Sequence, residues 1–447
     1  MKIALIIPEF LSGSSFLQPP LCFLYTSALL RNNNYQVTII DLRVLHININ
    51  VLVSNLADYD LIVVTTTPYD QVQNYFLDYR LSNAFLTINS IKKKFPKIPL
   101  VVCGSHSTVH PALLFEDVNA DALLQGEIPN VILNIANCIK EKEPLANVPN
   151  LVFKNGKEIE FSKRDNTLWH TSLSDDLFPD YDNVDMTKYY GVKYYDNVPV
   201  RQPNRGVIMA SKGCPYQCNF CHNFFGTRVC QRSADSVIEE IVLLKEKHNV
   251  KEVFFLDSTF TLNKKWVTEF CQKISQNNLK LDFTIQTRID LLDSEILECL
   301  SEANIKNIWF GIESFDQHIL DLSNKQYSAN IIVPTIYELK EKSFIPNIFF
   351  MLGMPGETID TLNNTIKNIH ELKIPYTRSI MICTPRYGTK LYEKAKKQYP
   401  NIDNHWFYLN AVKGLIDNSM SVELLSNAKD LLKTRDFIFK NELIKLK

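Results

Sequence analysis

The sequence predicts an α/β protein. Its first third is a doubly wound parallel sheet, and its second half is another run of alternating strands and helices. Short runs rich in Val, Ile and Leu alternate with amphipathic stretches from Met1 to Lys140, and the alternation resumes at Gly206 after a polar interval without helical period. A third observation marks where chemistry is expected. The loop after the first strand of the second part reads Ser211-Lys-Gly-Cys-Pro-Tyr-Gln-Cys-Asn-Phe-Cys221.

In the first part, domain 1–140, strands are expected near Lys2–Ile7, Gln36–Asp41, Asp60–Thr65, Leu100–Cys103 and Ala120–Leu124. Helices are expected near Leu21–Arg31, Gln73–Lys94 and Asn130–Lys140. Sheets of this kind bind ligands beyond the carboxyl ends of their strands. The segments there are Pro8-Glu-Phe-Leu11, Thr65-Thr-Thr-Pro68, Gly104-Ser-His-Ser-Thr108 and Gln125-Gly-Glu-Ile128. Their small residues let a bulky ligand approach the backbone, and any one of them also reads as an ordinary turn.

A linker, 141–204, holds a hairpin near Val152–Phe161 and the polar, aromatic stretch Ser172–Asn204. From 205 to 396 strands are expected near Val207–Ala210, Glu252–Leu256, Asp282–Gln286, Asn307–Phe310, Asn347–Met351 and Ser379–Thr384. The intervening helices fall near Ala234–Lys247, Lys264–Gln276, Ser294–Ala303, Ser328–Lys342, Ile359–Leu372 and Lys390–Ala395. The tail 397–447, with Trp406-Phe-Tyr408 and an amphipathic helix near Ser421–Phe439, reads as a cap or as a plain packing helix.

The 447 residues carry a formal net charge of -1, with lysines interleaved among acids, so neither a nucleic-acid partner nor an anionic membrane surface is indicated. No apolar run reaches the length of a transmembrane segment. Seven of the ten cysteines (Cys22, Cys103, Cys138, Cys230, Cys271, Cys299 and Cys383) are scattered singly among apolar neighbours. That is the pattern of reduced, packed thiols and points to a cytoplasmic location.

The other three, Cys214, Cys218 and Cys221, supply three thiols from one loop. A four-iron cubane held by three thiolates keeps one iron open to a small molecule. Two other readings use the same residues: zinc on these cysteines and His222, and haem attachment through Cys218-Asn-Phe-Cys221-His222. Haem attachment leaves Cys214 unexplained, and Met1-Lys-Ile-Ala-Leu-Ile-Ile-Pro8 reads as a strand rather than a secretory leader.

The C-x3-C-x2-C spacing resembles the signature of the radical S-adenosylmethionine (SAM) enzymes, and much of 205–396 is similar to their barrels. The matching runs are Arg232-Ser, Phe254-Phe-Leu-Asp-Ser-Thr-Phe-Thr-Leu-Asn263, Thr287-Arg-Ile-Asp290, Ile308-Trp-Phe-Gly-Ile-Glu-Ser314, Leu352-Gly-Met-Pro-Gly-Glu-Thr358 and Pro385-Arg-Tyr-Gly-Thr-Lys-Leu-Tyr392. The resemblance implies a partial (β/α)6, TIM-like barrel with its chemistry at the carboxyl ends of the strands. It implies a [4Fe-4S] cluster on Cys214, Cys218 and Cys221, SAM on the open iron, and Phe220 beside the adenine. Glu313 would accept the ribose hydroxyls or offset the sulfonium, and Arg288 would pair with the methionyl carboxylate. Asp257 would line the same pocket, and Gly353 and Gly356 would let the backbone approach adenine. Glu313, Arg288 and Asp257 also read as structural ion pairs at a barrel rim.

The first third resembles the cobalamin-binding, Rossmann-like domain that precedes many such barrels. The matching pieces are Pro19-Pro-Leu21, Tyr35-Gln-Val-Thr-Ile-Ile-Asp41, Leu61-Ile-Val-Val64, Val102-Cys-Gly-Ser-His106 and Asp121-Ala-Leu-Leu-Gln-Gly-Glu127. It implies cobalamin contacts at Thr65, Thr66, Thr67, Gly104, Ser105, His106, Gly126 and Glu127. No D-x-H-x-x-G run marks a lower cobalt ligand, and Cys103-Gly104 stands where a Gly-Gly pair is commoner.

The two resemblances together imply a cobalamin-dependent radical SAM enzyme that methylates an unactivated carbon of a small-molecule, lipid or peptide substrate, fed by an electron donor such as flavodoxin or ferredoxin. Radical rearrangement or cyclisation without methyl transfer uses the same cofactors and stands as the alternative. Methylthiolation needs a second three-cysteine set, whereas Cys22, Cys103 and Cys138 fall on unrelated elements. A non-enzymatic cobalamin or zinc protein is the remaining class.

Overall fold

The computed structural model describes residues 1–9, 16–67, 81–169, 173–195, 198–374, 380–383, 385–386 and 388–398. The tail expected to cap the barrel, with Trp406-Phe-Tyr408 and Ser421–Phe439, lies outside them, as do the first residues of the helix expected at Gln73–Lys94. Contacts divide the chain into two compact units. One is Met1–Val192 with Arg201–Ile208 and Leu243–Lys251; the other is Lys193–Val200, Met209–Val242 and the described residues from Glu252 onward.

The first unit is built on β1 (Lys2–Ile7), β2 (Gln36–Asp41), β3 (Leu61–Thr65), β4 (Leu100–Cys103), β5 (Ala122–Leu124), β6 (Leu151–Asn155) and β7 (Glu158–Phe161), in the order β2-β1-β3-β4-β5-β6-β7. Strands β1 to β5 pair in parallel. Every residue of β3 and β4 is buried, as helices on both faces require, while β2 at the edge alternates between buried and accessible positions. Leu21–Asn32 and Ile128–Lys140 are two of the covering helices. The expected hairpin forms and extends the sheet, with β6 antiparallel to β5 and β7 antiparallel to β6. Strand order reverses between β1 and β3, the place where open sheets of this kind take ligands. Five short helices, Leu42–Leu45, Ile49–Ser54, Ser105–Val109, Pro111–Asp117 and Asn166–Trp169, were not expected among the described residues of this unit, because such short segments carry no readable periodicity.

A ribbon of β8 (Tyr190–Tyr195) and β9 (Val198–Pro203) follows, then β10 (Arg205–Ile208) and a second small ribbon, β11 (Ser211–Lys212) with β12 (Cys230–Gln231). The second large sheet runs β10-β13-β14-β15-β16-β17 with β13 (Glu252–Phe255), β14 (Asp282–Thr287), β15 (Asn307–Glu313), β16 (Ile345–Leu352) and β17 (Ile380–Ile382). From β13 on, every neighbouring pair is parallel. The order follows the sequence and, among the described residues, its two edge strands do not pair with each other, so this is an open (β/α)6 arrangement. On β15 and β16, Ile308, Phe310, Ile312, Ile348, Phe350 and Leu352 are buried, whereas the alternate positions Trp309, Gly311, Asn347, Phe349 and Met351 keep partial access. The helices expected in this half form, with ends shifted by a few residues. Strand β15 runs three residues past its expected end at Phe310, through an irregularity of register between Gly311 and Glu313.

Candidate active site

The loop after β10 carries the three cysteines out through β11 and returns through β12. Ser211 pairs with Gln231 and Lys212 with Cys230. Cys214 N donates to Gly226 O at 3.0 Å, and Asn223 Nδ2 donates to Cys214 O at 2.6 Å. Gly213 has φ +87°, and a Cβ there would lie 2.0 Å from Arg228 O, so both conformation and space demand glycine. Segments beyond β15 and β17 hold the loop from outside. Asn219 donates from N to Ser323 O at 2.9 Å and from Nδ2 to Leu322 O at 2.8 Å; Leu391 N donates to Asn219 O at 2.9 Å.

Asp257, just past β13, supports the base of this loop. It is buried, with Oδ2 accepting from Ala210 N at 3.0 Å and Oδ1 from Ser211 Oγ at 2.6 Å. Burial pushes its carboxyl up to about 7, against the pull of those donors. Nearby, Thr259 Oγ1 lies 3.6 Å from Cys214 Sγ.

Arg288, at the end of β14, is locked in place. Its Nε and Nη2 donate to the two oxygens of Asp290 at 3.0 and 3.1 Å, Nη2 also donates to Lys325 O at 2.5 Å, and Nη1 lies 3.7 Å from Cys218 Sγ. The guanidinium carbon sits 3.6 Å from the centre of the Tyr216 ring. Glu313 closes β15 at φ +64°, a conformation uncommon for a residue with a side chain. Its Oε1 accepts from Lys325 Nζ at 3.2 Å, and the same ammonium donates to Gly311 O at 2.9 Å. A Cβ on Gly311 would lie 2.1 Å from Glu313 Oε1, so the glycine makes room for the carboxylate. Lys325 Nζ also stands 5.9 Å from the centre of the Phe220 ring.

The three thiols are therefore ringed by Arg288, Lys325, Glu313 and Thr259. Burial raises the Cys218 pKa, with Lys325 and Arg288 opposing the rise. Cys221 is exposed as a residue, yet loss of water around its sulfur, and then Cys218 and Cys214, push its thiol up to about 12. Among the described residues no three His, Cys, Asp or Glu side chains converge as one metal ion requires. His222 lies beside the last strand–helix turn: a Cβ on Gly388 would meet its Nε2 at 2.9 Å, and burial first and Arg386 second lower its pKa to about 4. Thiols that each hold a different iron of a cubane need not meet at one point.

Past β16, Gly353 and Gly356 both take positive φ, 77° and 83°. Glu357, two residues before the helix Ile359–Glu371, turns back into the core, where its Oε2 accepts from Gly353 N and its Oε1 has no partner. Burial pushes Glu357 up to about 7. Thr358 caps the helix Ile359–Glu371, exchanging hydrogen bonds with Thr361. Cys383, past β17, is a buried thiol whose pKa burial raises.

In the first unit the expected loops are linked by hydrogen bonds. Thr66 donates from N to Cys103 O at 2.9 Å, its Oγ1 meets His106 Nδ1 at 3.0 Å, and Ser105 N donates to Thr67 Oγ1 at 3.3 Å. Thr65 Oγ1 accepts from Thr67 N at 3.2 Å, and Gly126 N donates to Thr108 Oγ1 at 3.1 Å. Gly104 has φ +114°, and a Cβ there would lie 2.4 Å from Thr67 Oγ1. Ser105 Oγ is buried without a partner, and burial lowers the His106 pKa to about 4, so its ring is neutral at physiological pH. Glu127, also buried, precedes the helix Ile128–Lys140.

Sequence reasoning singled out the cysteines, Arg288, Asp257, Phe220, Glu313, Gly353 and Gly356, and the structure gathers them along one edge of the second sheet. Thr65–Thr67, Gly104–His106 and Gly126–Glu127 lie at the corresponding edge of the first. It missed Lys325, which no motif marks, and the pairing of Asp290 with Arg288, for which the i, i+2 spacing just past a strand is the available signal.

Residues 208–369 match the family model described as the Radical SAM superfamily. A methyltransferase of Pyrococcus horikoshii described as uncharacterized is 28% identical over 406 residues, which is 88% of this chain and 83% of that one. The anaerobic magnesium-protoporphyrin IX monomethyl ester cyclase of Rubrivivax gelatinosus is 26% identical over 82% of this chain and 65% of its own length. The radical SAM methyltransferase TsrM of Kitasatospora setae, solved with tryptophan and a SAM analogue, shares the fold at a TM-score of 0.70 and 18% identity, covering 90% of this chain and 77% of that one.

Proposed function

We propose that this chain, a member of the radical SAM family, is a cobalamin-dependent enzyme that methylates an unactivated carbon. The observation that carries the reading is the single loop Gly213–Cys221, with three thiols at the carboxyl edge of a parallel sheet and Arg288, Lys325 and Glu313 set against them. That donor set fits a [4Fe-4S] cluster, with one thiolate for each of three irons. When bound, the cluster and SAM supply a 5'-deoxyadenosyl radical that takes hydrogen from carbon, and cobalamin supplies the methyl group.

The chain's own residues hold and orient these groups. Cys214, Cys218 and Cys221 are assigned the cluster, and Asp257 the loop that carries them. Lys325 aligns the Glu313 carboxylate to accept ribose hydroxyls. Phe220 is assigned the adenine face, and the backbone around Gly353 and Gly356 its edge. In domain 1–140, Thr65–Thr67, Gly104–His106 and Gly126–Glu127 are assigned to cobalamin; the buried, unpartnered Ser105 hydroxyl supports this, since it is a donor awaiting a ligand. Radical chemistry is assigned to 205–396, a linking role to 141–204 and a capping role to 397–447. The reaction draws on an electron donor such as flavodoxin or ferredoxin and acts on a small-molecule, lipid or peptide substrate.

The cyclase relative favours a second reading, radical cyclisation or rearrangement without methyl transfer. Methylthiolation has less support: Cys22 and Cys138 lie on separate helices and Cys103 ends β4, so they form no second cluster loop. The test is incubation of the reconstituted full chain, with cobalamin and methyl-labelled SAM, in an extract of its source cells. Methylation puts the label into a product, with 5'-deoxyadenosine and S-adenosylhomocysteine both formed. An unlabelled product beside 5'-deoxyadenosine sinks methylation in favour of the second reading.

A further inference from the structure

We infer that Arg288 tunes the reduction potential of the cluster by donating a hydrogen bond from Nη1 to the sulfur of Cys218. This rests on the reading that Cys214, Cys218 and Cys221 hold a [4Fe-4S] cluster, and it goes beyond that reading by assigning a group that acts on the cluster's electronics.

A guanidinium has five N–H donors in a rigid fork. Three are committed: one from Nε and one from Nη2 to the carboxylate of Asp290, and the second from Nη2 to Lys325 O. The face is fixed by Tyr216, whose ring centre is 3.6 Å from the guanidinium carbon. What remains is Nη1, and it stands 3.7 Å from Cys218 Sγ. The side chain is only 7% exposed, so water does little to weaken the interaction. Turning the fork towards the methionyl carboxylate of SAM would break the Asp290 and Lys325 bonds together. A permanent positive charge with a preorganised donor is therefore held against one sulfur of the three, while Cys214 Sγ meets, among the described residues, the neutral hydroxyl of Thr259 at 3.6 Å.

Reduction adds one negative charge, spread over irons and sulfurs. A cation and an N–H donor at a ligating sulfur stabilise the reduced state more than the oxidised one and so raise the potential. Arg288 thereby makes the first electron easier to deliver, and removing it moves the midpoint to more negative values.

The experiment is an EPR-monitored redox titration of the anaerobically reconstituted full chain, without SAM, for wild type, Arg288→Gln and Arg288→Lys. Expected is wild-type iron content in Arg288→Gln, with the ratio of reduced to oxidised cluster at the wild-type midpoint falling about tenfold, a shift of about 59 mV. Arg288→Lys, which keeps the charge and loses the fork, falls between. An unchanged midpoint in Arg288→Gln with weakened SAM binding overturns the inference and restores the carboxylate role. If the variants assemble no cluster, wild-type protein grown with 15N-arginine decides. Pulsed EPR of its reduced cluster shows an arginine nitrogen coupling if the bond exists, and the lack of one overturns the inference. A wild-type chain that assembles no four-iron cluster defeats the underlying reading instead.

Discussion

Lys325 Nζ lies 3.2 Å from Glu313 Oε1, and the two side chains are 5% and 9% exposed. The ammonium aligns the carboxylate through one oxygen and leaves the other to accept from ribose hydroxyls. Glu313→Gln therefore leaves iron content unchanged and weakens SAM binding by about tenfold or more, the worth of a charged hydrogen bond. Gly311→Ala gives the same split, because its Cβ displaces the Glu313 carboxylate. Equilibrium binding on reconstituted protein checks both; a loss of iron in either variant contradicts the assignment.

Gly213→Ala is expected to abolish cluster assembly. A Cβ 2.0 Å from Arg228 O at φ +87° forces the turn into Cys214 to move, at a cost of about 1–3 kcal/mol or more. Iron and sulfide analysis reads the result, and circular dichroism shows whether the rest of the fold persists. A full complement of iron in the variant shows that the turn is not needed to present the thiols.

Most of the fold was legible because strands such as Leu61–Thr65 and Leu100–Cys103 are buried on both faces and read as unbroken apolar runs. The cysteines were legible because their spacing is local. Lys325 was not: it reaches Glu313 only because the chain between them turns through the short helix Gln317–Leu322, and nothing at its own position marks it. Nor was the inward turn of Glu357 visible, since a glutamate two residues before a helix reads as an ordinary helix start.

Gly104→Ala should lose cobalamin and keep the cluster. Its Cβ would lie 2.4 Å from Thr67 Oγ1 and drive apart the two loops that Ser105 N and Thr67 Oγ1 join. Ser105→Ala, which removes only the unpartnered hydroxyl, should weaken cobalamin binding without destabilising the protein, because no internal bond is lost. Visible absorption of the full chain titrated with cobalamin measures both. Unchanged binding in both variants removes these loops from the cobalamin site.

Glu357 makes stability depend on pH. Its pKa in the folded chain is about 7, against an ordinary 4.5, so the folded state keeps a proton that the unfolded chain has lost. The contribution is present below about 4.5, falls as pH rises towards about 7, and is flat above. Over that window it amounts to about 3 kcal/mol. Glu357→Gln removes this slope, so melting temperatures of variant and wild type should converge at low pH and separate, with the variant higher, near neutrality. Parallel pH profiles for the two proteins contradict the buried, protonated carboxyl.

The central claim is that Cys214, Cys218 and Cys221 together hold a four-iron cluster that cleaves SAM. Its most direct test is the yield of 5'-deoxyadenosine from reduced, anaerobically reconstituted full-length protein, measured beside its iron content, for wild type and for the variant with all three cysteines changed to alanine. Wild type should hold about four irons and release 5'-deoxyadenosine, and the variant should do neither. Release of 5'-deoxyadenosine by the variant, at a rate near that of wild type, would contradict the account at its root.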